Sequence, residues 1–187
     1  MQKLILFCGP SGSGKTSLVH YLLQKYPLFT FSVAATTRPK RKNEIDGKDY
    51  YFLTVEEFKN KIDKGDFLEW EEVYPGRFYG TLKSEVERLT ALGKVVLFDV
   101  DVKGGLSIRK YYGDRILDVF VMPPSLSELK KRLLARQSET DDSLEKRISK
   151  SGLEMNFADQ FTYIIVNDEF QKTIYDATLL VENFLSE

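Results

Sequence analysis

The sequence predicts an α/β fold, a parallel sheet flanked by helices, and three observations carry that expectation. Short apolar runs alternate with stretches of helical periodicity, several of those runs are almost uninterrupted, and no repeat or linker divides them. At 187 residues, 42% of them hydrophobic, the chain suits one globular domain with a real core.

The elements follow in order. Leu4 to Cys8 is too short for a helix and reads as a buried strand, Gly9 to Thr16 is a glycine-rich turn, and Leu18, Leu22 and Tyr26 then recur at helical spacing. FSVA at 31–34 and YYFL at 50–53 read as strands. Thr54 to Glu57 forms a capping box ahead of apolar Val55, Phe58 and Ile62, and that helix is expected to stop at Gly65. FLEWEEV at 67–73 alternates weakly, Pro75-Gly76 turns the chain, and a helix over 82–92 ends against Gly93. VVLFDV at 95–100 and DVFVM at 118–122 read as parallel strands covered on both faces. Pro123-Pro124 breaks the chain, Ser125 to Glu128 offers a second capping box, and YIIV at 163–166 reads as one more buried strand. Phe170, Ile174, Ala177, Val181 and Phe184 fall on one stripe of a closing helix.

Composition removes several function classes. A formal net charge of -1 argues against a general nucleic-acid binder, and the basic residues gather locally, at Arg38 to Lys42 and Lys130 to Arg136. No stretch approaches the length of a membrane span and no signal peptide is visible, so a cytoplasmic location with no membrane partner is the expectation. The single cysteine, Cys8, lies on the first strand and reads as a small core residue.

The turn after the first strand carries chemistry. Gly9, Pro10, Ser11, Gly12, Ser13, Gly14, Lys15 and Thr16 satisfy G-x-x-x-x-G-K-[ST], with the strand before and the helix after that its mechanism requires. Glycines let backbone N–H groups wrap a polyphosphate at a helix start, Lys15 reaches its oxygens, and the Thr16 hydroxyl can bind Mg²⁺. The sheet is therefore expected to be a P-loop core. A second anion site is suggested by Arg38 and Arg41 just after a strand, with Tyr50 after a turn: two guanidinium forks and a phenol suit a phosphate. Asp99 and Asp101 end a strand at its carboxyl edge, where open α/β sheets place ligands, so Mg²⁺ and the acceptor are plausible partners for them, or a helix cap for one.

Read together, GPSGSGKT at 9–16, TTRPKR at 36–41, GKDYYF at 47–52, FLEW at 67–70, FYGT at 78–81, FDVDVKG at 98–104 and VND at 166–168 resemble the guanylate kinase family across nearly the whole chain. The resemblance implies phosphoryl transfer from ATP to GMP with Mg²⁺, GMP and ATP as the partners, and a monomer or homodimer. It also implies a core at about 1–32, 84–123 and 150–187, an inserted GMP-binding segment at 33–83, and a lid at 124–149. Lys15, Arg41, Arg136 and Arg147 would be catalytic. Ser17, Arg132, Asn167 and Asp168 would join the glycine-rich turn on ATP, and Arg38, Arg41, Tyr50, Glu69, Tyr79, Thr81, Asp99 and Asp101 would hold GMP, Glu69 accepting from the guanine ring edge. Thr16 and Asp99 would hold the metal. Ala34 departs from the family, which usually has a guanine-contacting serine there; one hydroxyl is worth about 0.5 to 1.5 kcal/mol. Two other readings stand beside this one, a kinase of another phosphate-bearing acceptor and a non-catalytic interaction module. Glu69 weighs against the first, and Lys15, Thr16 and the lid arginines against the second.

Overall fold

The computed structural model describes residues 3–135 and 141–186, with the backbone alone at 141–144 and 146. Arg136 falls outside the described residues. The chain builds two sheets. The first has five strands, all paired parallel: β1 (Leu4–Cys8), β2 (Phe29–Phe31), and three more that arrive later in the chain. The second is small and is formed by β3 (Ala35–Thr36), β4 (Tyr51–Phe52), β5 (Phe67–Tyr74) and β6 (Arg77–Leu82), in the order β4-β3-β6-β5. The chain then returns to the first sheet with β7 (Val95–Val100), β8 (Ile116–Met122) and β9 (Tyr163–Val166), giving the order β2-β7-β1-β8-β9.

β1 lies at the centre, and its five residues are all buried. Successive strand side chains point to opposite faces, so Leu4, Leu6 and Cys8 pack on one side while Ile5 and Phe7 pack on the other. Helix α4 (Val102–Tyr112) covers the first face with Ile108 and Tyr112. Helices α1 (Lys15–Lys25) and α7 (Phe170–Ser186) cover the second with Leu18, Val19, Leu22, Ala177 and Val181. Coverage on both faces is why these strands read as continuous apolar runs. Cys8 is fully buried, and burial pushes its thiol well above the usual cysteine range.

The second sheet has a core of its own. Helix α2 (Val55–Asp63) opens on the capping box, with Glu57 N–H donating to the Thr54 hydroxyl and Thr54 N–H to the Glu57 carboxylate. It buries Phe58, whose ring stacks on Phe67 and Phe78 at centroid distances of 4.3 and 5.3 Å. Val55, expected on the apolar face, is exposed. Helices α3 (Lys83–Ala91), α5 (Leu126–Leu134) and α6 (Asp141–Met155) complete the described α-helices, and short 3-10 turns lie at Gly113–Arg115 and Ala158–Gln160. Among the described residues no helix is long and apolar enough to cross a membrane.

Four sequence expectations change. FSVA at 31–34 is not one strand: β2 ends at Phe31 and β3 begins at Ala35, because this stretch carries the chain from one sheet to the other. YYFL narrows to Tyr51 and Phe52. YIIV is a strand but not a buried one; β9 is the sheet edge, paired only with β8, and of its residues only Ile165 turns into the core. The second capping box is half formed, since Glu128 N–H donates to the Ser125 hydroxyl while the Glu128 carboxylate pairs with Lys131 and Arg132.

Because Phe58 joins α2 to the inserted sheet, Phe58→Ala is expected to lower stability by about 3 to 5 kcal/mol. Denaturant unfolding followed by circular dichroism checks this; a loss under about 1 kcal/mol would mean that the ring stack does not hold the insertion.

Candidate functional site

The glycine-rich turn closes over the carboxyl end of β1. Gly9, Gly12 and Gly14 hold φ values of 146°, 87° and 91°, a region that side chains with a Cβ avoid. At Gly14 a Cβ would also collide with the Asn167 side-chain amide. That amide donates to the Ser13 carbonyl at 2.7 Å, and the Asn167 Oδ1 accepts from the Thr173 hydroxyl at 2.9 Å. The Asn167 backbone N–H donates to Met122 at the end of β8, and its carbonyl accepts from Arg132 at 3.0 Å. Both polar ends of this buried side chain are therefore committed within the protein. Asp168, next to it, is exposed.

Around the turn, Lys15 Nζ rests on the Pro10 carbonyl at 3.4 Å, a long contact that leaves the ammonium ready to move. The Thr16 hydroxyl donates to Asp99 Oδ2 at 2.6 Å, and Ser17 is exposed on the first turn of α1. From the other side α6 supplies Arg147, which donates to the Ser11 hydroxyl at 2.8 Å, and Lys150, which donates to Asp101 Oδ2 at 3.2 Å. These groups line a cavity of about 370 Å³ that also includes Gly12 and Gly14. Three cations, Lys15, Arg147 and Lys150, face this hollow together with two carboxylates, Asp101 and Glu154, which leaves an excess of positive charge beside the glycine-rich turn.

A second cavity of about 290 Å³ lies beside it, lined by Ala34, Glu69, Tyr79, Thr81, Asp99 and Asp101. The Thr81 hydroxyl donates to Glu69 Oε1 at 2.6 Å across the β5–β6 pairing. Burial raises the Glu69 pKa, and the nearby Asp101 carboxylate adds to the effect against the Thr81 hydrogen bond. Asp101 belongs to both cavities and also caps α4, its Oδ1 accepting from Gly104 N–H at 2.9 Å. Ser32 lies on the same wall as Ala34, its hydroxyl oxygen buried and without a hydrogen-bond partner.

Arg38 lies just beyond. Its guanidinium forks onto Glu44 at 2.6 and 3.0 Å and sits over the Tyr50 ring at 5.3 Å, while Tyr50 meets Tyr79 edge to face at 6.1 Å. The structure thus brings Arg38, Tyr50 and Tyr79 together. Arg41 is exposed on the same loop, its backbone N–H donating to Glu44 at 2.7 Å. The Arg38 fork and the Arg41 N–H hold the Glu44 carboxyl below the usual carboxylate range. Sequence reasoning missed Glu44 and Lys150. An acidic residue inside a basic loop, and a lysine three positions after Arg147 on one helix face, were the available signals.

Comparison with known proteins points to a single family. The family model for guanylate kinase matches residues 1–184. A guanylate kinase of Bacteroides fragilis is 46% identical over 98% of this chain and 90% of its own length. One from Salinibacter ruber is 45% identical over 99% of this chain and 98% of its own. Among solved structures, the crystal structure of guanylate kinase from Anaplasma phagocytophilum matches with a TM-score of 0.68 at 27% identity, covering 97% of this chain and 85% of that one.

Asn167→Ala would leave the buried Ser13 carbonyl without its donor, at a cost of about 1 to 3 kcal/mol, while the Thr173 hydroxyl falls back on the Glu169 carbonyl at 3.1 Å. Thermal unfolding is expected to show a clear drop in Tm. An unchanged Tm would mean that the loop is held by other contacts.

Proposed function

The chain belongs to the guanylate kinase family, and from that premise we propose how its residues share the transfer of the ATP γ-phosphoryl group to GMP, giving ADP and GDP. The observation that carries the reading is the meeting of two cavities at Asp101, one where three cations outnumber two carboxylates and one holding the half-buried Glu69 carboxylate. In the first, the backbone N–H groups that follow Pro10 in the glycine-rich turn cradle the ATP phosphates, Lys15 and Arg147 supply positive charge, and Ser17, Arg132 and Asp168 lie toward the nucleoside. Asn167, whose amide is spent on the loop, braces that cradle. Arg41 and Arg136 complete the catalytic arginines in this reading.

In the second cavity, Glu69 accepts from the two N–H groups on the guanine edge while Thr81 orients it, and Asp101 lies alongside. Arg38, Tyr50 and Tyr79 then receive the GMP phosphate, which displaces Glu44 from the guanidinium fork. That phosphate is already an anion, so the transfer needs alignment and charge but no histidine base. His20 is exposed on α1, edge-on to Phe31 at 5.8 Å, and takes no part.

Thr16 and Asp99 suit Mg²⁺. A hydroxyl and a carboxylate 2.6 Å apart beside a phosphate cradle give the small set of hard oxygen donors that this ion combines with water and substrate oxygens. When bound, it would neutralise charge on the ATP phosphates. We assign residues 33–83 to a GMP-binding segment and 124–149 to a lid, although α6 runs unbroken across the boundary near 150. A cytoplasmic location, where both nucleotides are available, belongs to the same reading.

Two results test the proposal. Lys15→Ala is expected to cut phosphoryl transfer by about 100-fold or more while circular dichroism stays unchanged; a folded variant with near-normal turnover overturns the assignment of the loop. Glu69→Gln should lower the ratio of kcat/KM for GMP over AMP by roughly tenfold or more, the worth of one charged hydrogen bond. The raised pKa gives this a pH signature. Only the ionised carboxylate accepts both N–H groups, so KM for GMP rises as pH falls through a value above the usual carboxylate range. In Glu69→Gln that acid limb disappears, and its persistence would place guanine recognition elsewhere.

A further inference from the structure

Lys150 stands on α6, lines the first cavity, and touches Asp101, the residue that lines both. Its ammonium is 3.2 Å from Asp101 Oδ2 and 3.5 Å from Glu154 Oε1, and its side chain is 58% exposed, toward the hollow that Lys15, Thr16 and Arg147 also line. Partial burial pulls its pKa down, but the Asp101 and Glu154 carboxylates more than offset this, so it stays charged. Asp101 is the wall shared by the two cavities; one of its oxygens is fixed by the α4 N-terminus, and the other accepts from Lys150. A flexible lysine stem can swing a compact charge between neighbouring anions, which the planar fork of an arginine does less readily.

We infer that Lys150 is a substrate-gated cation: it neutralises Asp101 until GMP occupies the adjoining cavity, and then turns to the transferring phosphoryl group. The inference rests on the assignment of GMP to the cavity of Glu69 and Asp101. A guanine ring there brings N–H donors to the carboxylates, replacing the donor that Lys150 had supplied. The ammonium, released beside Lys15 and Arg147, meets the charge that is shared between ATP and GMP during transfer. Recognition of the acceptor base and completion of the cationic cavity thus become one event.

The discriminating variants are Lys150→Met, which keeps the apolar stem and removes the charge, and Lys150→Arg, which restores it. Steady-state kinetics with ATP, Mg²⁺ and GMP, and calorimetric titration of GMP alone, are measured for each. Lys150→Met is expected to lower kcat by about tenfold or more, with GMP Kd unchanged or tighter because no ammonium competes for Asp101. Lys150→Arg, which keeps the charge but swings less readily, should recover kcat only in part. A kcat near that of the parent protein overturns the inference. So does a fall in kcat matched by weaker GMP binding, which would make Lys150 a prop for Asp101 and nothing more. Glu69→Gln, titrated alongside, separates the two levels: undiminished GMP affinity in that variant would mean that the guanine assignment itself has failed.

Discussion

The glycine-rich turn is anchored from outside by a buried hydrogen bond, from the Asn167 side-chain amide to the Ser13 carbonyl. A loop that wraps an anion must present its N–H groups inward, and this leaves carbonyls on the outside in need of partners. Asn167 meets that need from the end of β9, itself fixed by Met122 and Thr173, so the loop is tied to two strands and the last helix at one point. Gly14 can lie against that amide only because it has no Cβ. The turn is thereby preformed, and binding need not order it.

Positive charge is held in reserve throughout the site. Arg38 rests on Glu44, Lys150 on Asp101, and Lys15 on a distant carbonyl, so most of these cations have a stand-in for phosphate before any nucleotide arrives. Each pairing keeps a side chain aimed at its working position. Each also competes with substrate, since a bidentate carboxylate and a phosphate use the same guanidinium fork. Substrate binding is then an exchange of anions more than a filling of empty space.

Much of this was legible in the sequence where burial is symmetric or a turn demands a special residue. β1, β7 and β8 are covered on both faces, so Leu4 to Cys8, Val95 to Val100 and Ile116 to Met122 stand out as apolar runs. The capping box at Thr54 and Glu57 is local chemistry and was equally plain. What local pattern cannot show is which sheet a strand joins: residues 31–34 look like one strand but span the passage from β2 in one sheet to β3 in the other, and β9 looks buried but lies at an edge. The same limit hid Lys150 and its pairing with Asp101, 49 residues away, which exists only once α6 packs beside the strand end. Asn167 was visible as part of a motif. Its commitment to Ser13 was not.

The central claim is that the half-buried Glu69 carboxylate beside the lysine- and arginine-lined cavity makes this chain a phosphotransferase that selects guanine. The most direct measurement is ADP release with ATP and Mg²⁺ and, in turn, GMP, AMP, CMP and UMP as acceptor. Guanine offers N–H donors where adenine would leave a half-buried carboxylate with the Thr81 hydrogen bond alone, so kcat/KM for GMP is expected to exceed that for AMP by about 100-fold or more. Comparable values for GMP and AMP would contradict the account.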